Sequence, residues 1–219
     1  MNALVARAVA AYGAEPRSVR LHVAARARTC PFPELEARVP ATGQVLDVGC
    51  GHGLGSLVLA LGGPERVVRG VDIDAEKLPH AIAAAARAGA ANVSFEAIEP
   101  GWRPDVPADA IVLVDVLYLL GREAATALLT DLCGWLAPGG RLLVKEIDVE
   151  PRWKYQLARI QEVVATRIAR ITEGEQVDFV APAEIGAVLE AAGLEVEHVP
   201  LHRGRPHPHH LVVGRRVAP

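Results

Sequence analysis

Residues 45–56 read VLDVGCGHGLGS. An apolar run carries one carboxylate, Asp47, and then glycine recurs at Gly49, Gly51, Gly53 and Gly55. The apolar part suits a buried strand, and the glycines suit a tight turn into a helix that lets the backbone approach a ligand closely. In a doubly wound sheet such a turn lies at the carboxyl ends of the strands, where ligands bind.

The rhythm continues on both sides of this stretch. Strand candidates are Gln44–Val48, Val67–Asp72, Val93–Ala97, Ala110–Asp115 and Arg141–Glu146. LGSLVLALG, AEKLPHAIAAAARAG and GREAATALLTDLCGWLAPGG lie between them as helical stretches. Val/Ile/Leu-rich runs separated by Ala-rich helices predict a parallel sheet covered on both faces. Two final strands, Leu194–Leu201 and His209–Val217, follow a helix over Ala183–Ala192 closed by Gly193, and the short HRGRPHP between them predicts a hairpin. The expected fold is therefore α/β, a doubly wound, mostly parallel seven-stranded sheet whose last strand is antiparallel. Residues 1–43 read as an Arg-rich helical preface ending in the breakers TCPFPE and VPATG, and 44–219 as the main domain. A segment at about 148–180 breaks the rhythm. Its helix, Tyr155–Ile171, has an apolar stripe, and Trp153 and Tyr155 precede or open it; the segment reads as a substrate cover, with a helix packed permanently on the core as the structural alternative.

Composition narrows the function. The chain has 219 residues, is 51% hydrophobic and carries a net charge of -3, which suits one globular domain and gives no electrostatic case for nucleic acid. Cys30, Cys50 and Cys133 lack metal spacing. The apolar run IVLVDVLYLL is interrupted by Asp115 and is too short to span a membrane, and NALVARAVAAY is too short for a signal or anchor. A cytoplasmic protein is expected. HRGRPHPHH invites a metal reading, but no carboxylate or cysteine stands beside it, so no metal site is assigned.

Glycine loops of this kind serve dinucleotides and S-adenosylmethionine alike. Asp47 distinguishes them: a carboxylate facing the loop repels a pyrophosphate and suits a ligand bearing an ammonium and a sulfonium. Here the chain resembles the class I S-adenosylmethionine-dependent methyltransferases. VLDVGCGHG is similar to their first motif, with Asp47 at its acidic position and Gly49, Gly51 and Gly53 at its glycines. GVDID, NVSFEAIEPGW, ADAIVLVDVLYLL and LAPGGRLLVKE resemble the following strand segments in order, over roughly 41–217.

The resemblance implies S-adenosylmethionine as cofactor and a set of contacts. Asp72 would take the ribose hydroxyls and Ile73 the adenine, with Ile98 and Glu99 at the third-strand segment, where the family usually has Asp in place of Glu99. Cys50 would contribute its backbone N–H, and Asp115 would face the cleft. Each has a structural alternative: Asp47 as a loop cap, Asp72 and Asp115 as scaffold. Asp74 reads as the next helix's N-cap. Tyr118 and Glu146, at cleft-side strand ends, are the candidate catalytic contacts to the acceptor, and Arg28 the candidate partner of the methionine carboxylate. Asp115-Val116-Leu117-Tyr118 lacks the prolines of DNA amino-methyltransferases, which leaves a small organic acceptor, with lipids and secondary metabolites in scope. The alternatives are a non-catalytic S-adenosylmethionine-binding regulator and an NAD(P)-dependent oxidoreductase. Oligomeric state is not legible.

Overall fold

The computed structural model describes residues 2–147, 180–201 and 209–218. The expected cover at 148–180, with Trp153, Tyr155 and its striped helix, falls almost wholly outside these residues, as does the HRGRPHP link. Among the described residues seven strands form one sheet: β1 Thr42–Val48, β2 Glu65–Asp72, β3 Val93–Ala97, β4 Ala108–Val114, β5 Leu136–Ile147, β6 Glu195–Pro200 and β7 His209–Arg215. Their order is β3-β2-β1-β4-β5-β7-β6. Strands β1 to β5 pair in parallel, and β7 runs antiparallel to both β5 and β6. The winding reverses between β1 and β4, so the ligand crevice of such a sheet opens at their carboxyl ends.

Helices α1 Ala3–Ala10, α2 Arg17–Thr29, α3 Phe32–Glu36, α4 Leu54–Gly62 and α5 Leu78–Ala88 cover one face, and α6 Arg122–Gly134 and α7 Pro182–Ala191 the other. Strand alternation divides the core accordingly. Val45, Val68, Val112 and Leu143 point to the first set of helices, and Leu46, Val71, Ile111 and Val144 to the second. The preface, as described from residue 2, joins the first layer: Val5, Ala8, Tyr12, Val19 and Val23 share its core with Leu57 and Val58 of α4.

Several element ends differ from expectation, and two of them bear on the site. β5 begins at Leu136, because APGG, with Gly139 at φ 76°, stays within the strand. β4 ends at Val114, and Asp115 lies beyond it at φ 56°, the left-handed region, alone there among the described non-glycine residues.

Candidate active site

The glycine loop is tied down at its start, crowded at Gly53 and open at Gly51. Gly49 and Cys50 donate their N–H groups to the Val71 carbonyl at 2.8 and 3.0 Å, tying the loop to the end of β2. Gly53, at φ 76°, opens α4, and a side chain there would strike Ala81 and Phe95. Gly51, at φ 55°, faces the other way, and an added Cβ would meet nothing within 4 Å. The space over Gly51 is thus an open cradle.

Asp72 closes the cradle. Its Oδ2 accepts from the Gly51 N–H at 2.7 Å and its Oδ1 from the Asp74 N–H at 2.9 Å. One lone pair on each oxygen remains for a diol. Beside it, just past the end of β2, the Ile73 side chain is 76% exposed. Ile98 is half-buried and bonded through its N–H to the Asp72 carbonyl, while Glu99 is exposed. Asp74 is not the N-cap of α5: that position is Lys77, with which Asp74 pairs at 3.0 Å.

Asp47 lies under the loop, 4% exposed, with Oδ2 accepting from the Ser56 hydroxyl at 2.5 Å and the carboxylate also bonded to the Ser56 N–H. It thus caps α4 from below. Burial pushes its carboxyl up to about 6, with Asp72 adding to the rise and Ser56 opposing it. Cys50 departs from its expected role, because its N–H is already donated to Val71.

At the ends of β4 and β5 stands a buried charge cluster. Asp115 accepts from Arg26 of α2 at Oδ2 and from Lys145 at Oδ1, both at 2.5 Å, and Lys145 is fully buried. Although burial alone would raise the Asp115 carboxyl, Lys145 and Arg26 hold it well below the usual range. Glu146 points to the opposite face. It is 2% exposed, and Oε1 accepts from the Val116 and Leu117 N–H groups at 2.9 Å each, pinning the turn that carries Asp115. Burial and the nearby Asp115 charge raise its carboxyl. That geometry replaces direct acceptor contact with a positioning role. Tyr118, on the short 3-10 helix Leu117–Leu119, is buried close to Arg26.

Arg28 does not reach the cleft. It is exposed and donates to the Ala24 carbonyl of its own helix, whereas Arg26 turns inward. A pattern could have shown this: Val19, Val23 and Arg26 recur at the i, i+4, i+7 spacing of one face, and Arg28 falls off it. Lys145, also missed, was legible as a charge inside an apolar strand, which demands a partner. Among the described residues no three potential ligands cluster for a metal, and no helix is long and apolar enough to cross a membrane.

A family model described as a methyltransferase domain matches residues 22–199. The chain belongs to the methyltransferase-domain family. A ubiquinone biosynthesis O-methyltransferase of Xylella fastidiosa is 34% identical to this methyltransferase domain over 170 residues, covering 75% of the chain and 66% of that protein. A trans-aconitate 2-methyltransferase of Methylobacterium nodulans is 32% identical over 176 residues, covering 78% and 65%. The chain thus spans just under two thirds of the length of these relatives. Among solved structures, an O-methyltransferase family protein of Burkholderia thailandensis superposes with TM-score 0.72 at 19% identity, covering 94% of this chain and 62% of that one. Magnesium protoporphyrin IX methyltransferase of Synechocystis PCC 6803, with bound SAH, gives 0.69 at 19%, covering 96% and 93%. At such identities these two establish the fold alone.

Proposed function

We propose that this methyltransferase domain transfers the methyl group of S-adenosylmethionine to a small organic acceptor. The observation that carries the reading is the open cradle at Gly51 bounded by the Asp72 carboxylate and the exposed Ile73. Asp72 would hold the ribose diol, Ile73 and Ile98 the adenine faces, and Glu99 the adenine edge. Arg26 takes over from Arg28 as partner of the methionine carboxylate: Asp115 fixes one end of its guanidinium, and its other N–H groups remain for a ligand. The anionic field of Asp47 favours a cation and disfavours a pyrophosphate.

Bound S-adenosylmethionine supplies an electrophilic methyl on a sulfonium with a neutral thioether as leaving group. The chain's own task is then chiefly orientation. Tyr118 lines the acceptor side, and Glu146 and Lys145 hold the Asp115 turn in place. A net charge of -3 fits a small acceptor better than nucleic acid.

Calorimetry with S-adenosylhomocysteine and with NAD tests the cofactor: binding of the first and none of the second is expected, and tight NAD binding overturns the reading. Transfer of labelled methyl to an acceptor panel that includes trans-aconitate and a cell extract tests turnover. Binding without any transfer would favour the non-catalytic regulator.

A further inference from the structure

The sequence gives Tyr12 no role beyond a helical, apolar preface. In the fold its ring is 1% exposed in the core between α1 and α4, and its hydroxyl donates to the carbonyl of His52 at 2.6 Å. His52 is the residue between Gly51 and Gly53, so this bond crosses from the preface to the crown of the glycine loop. The His52 side chain makes no hydrogen bond through Nδ1 and lies between two other rings, with His22 of α2 at 4.9 Å and His80 of α5 at 5.9 Å between centroids. Around the same corner Glu15 pairs with His80 and with Arg87 of α5, which anchors the Tyr12 end of the bond.

We propose that Tyr12 is a positioning residue of the cofactor loop: its hydroxyl, tied to the His52 carbonyl, fixes the Gly51–Gly53 turn in the shape that receives the nucleoside. This rests on the cofactor reading above. Two left-handed glycines in three residues give the loop many alternative shapes, and its other ties, Gly49 and Cys50 N–H to Val71, Gly51 N–H to Asp72 and Gly53 N–H to the Cys50 carbonyl, leave the His52 carbonyl to Tyr12. Without the hydroxyl the His52 carbonyl is left partly buried and unpaired, so the turn must shift to reach water.

Tyr12→Phe keeps the ring and removes only this bond. It is expected to weaken S-adenosylhomocysteine binding by roughly three- to tenfold, tenfold being about 1.4 kcal/mol. In the ligand-free protein it is expected to speed amide exchange at Gly51 and Gly53 relative to the sheet. Val5→Ala, a buried change in α1, serves as control: it should lower Tm and leave the affinity alone. Unchanged affinity and unchanged loop exchange in Tyr12→Phe would overturn the proposal, as would an equal loss of affinity in Val5→Ala. If the unmodified protein fails to bind S-adenosylhomocysteine, the cofactor reading falls, and the exchange measurement alone still decides whether Tyr12 sets the loop.

Discussion

Asp47→Asn separates a carboxylate kept for folding from one kept for a ligand. Burial raises the Asp47 carboxyl from the ordinary 3.8 to about 6, because the charged form gives up water and gains only the Ser56 hydroxyl and N–H in return. The sign follows from linkage. The folded state holds this proton more tightly than the unfolded chain does. The associated stability is therefore fully present below about pH 4 and is lost as pH rises through about 6. Above that point the ionised group costs the ligand-free protein about 3 kcal/mol. An asparagine keeps an acceptor for Ser56 and has no charge to bury. The substituted protein should thus gain as much as about 3 kcal/mol over the parent at pH 8, and nothing at pH 4.

The ligand should reverse the order. A cation near the loop favours ionised Asp47, so binding of S-adenosylhomocysteine should release a proton, and the parent's affinity should rise between pH 5 and 7. In Asp47→Asn the affinity should be lower and flat across that range. Urea titrations at pH 4 and 8, with calorimetry in two buffers of different ionisation enthalpy, measure both effects. A parent whose stability does not fall relative to Asp47→Asn as pH rises, or binding with no proton release, would refute the argument.

Three further outcomes follow from the geometry. Asp72→Ala should weaken S-adenosylhomocysteine at least about tenfold, since a hydrogen bond to a charged group contributes about 1.5–3 kcal/mol, while Asp74→Ala should change affinity little; calorimetry on both decides. Arg26→Gln should lower the affinity for S-adenosylhomocysteine but not for methylthioadenosine, which lacks the carboxylate, and Arg28→Gln should affect neither. Gly51→Ala should fold with a strain cost of about 1–2 kcal/mol and lose ligand affinity, because its Cβ fills the cradle; Gly53→Ala, driven into Ala81 and Phe95, should mainly lose Tm in thermal unfolding.

The parts of this protein that were legible in the sequence are those whose cause is local. A short apolar run such as Ile111–Val114 bounded by turn residues suits a buried strand, and glycine at every second position after Asp47 suits a turn, so sheet and loop followed from short windows. Arg26 and Arg28 mark where that reading stops. Two residues on a helix differ by roughly 200° in direction, so choosing between them needs the buried face of α2, and that face is defined by only Val19 and Val23 in a stretch crowded with arginine and alanine. Tyr12 is harder still, because its partner lies 40 positions away; and although Lys145 stands out as a charge in an apolar strand, the cluster it joins draws Asp115 and Arg26 from distant parts of the chain. Such a cluster is also expensive: buried ion pairs recover little of their desolvation, and a left-handed aspartate adds strain. Replacing a buried pair such as Lys145–Asp115 by well-packed apolar residues is often neutral or stabilising, and Arg26 stays partly open to solvent. That the chain instead keeps three charges and a strained turn at the carboxyl ends of β4 and β5 is an argument, independent of any motif, that this corner is shaped for a ligand.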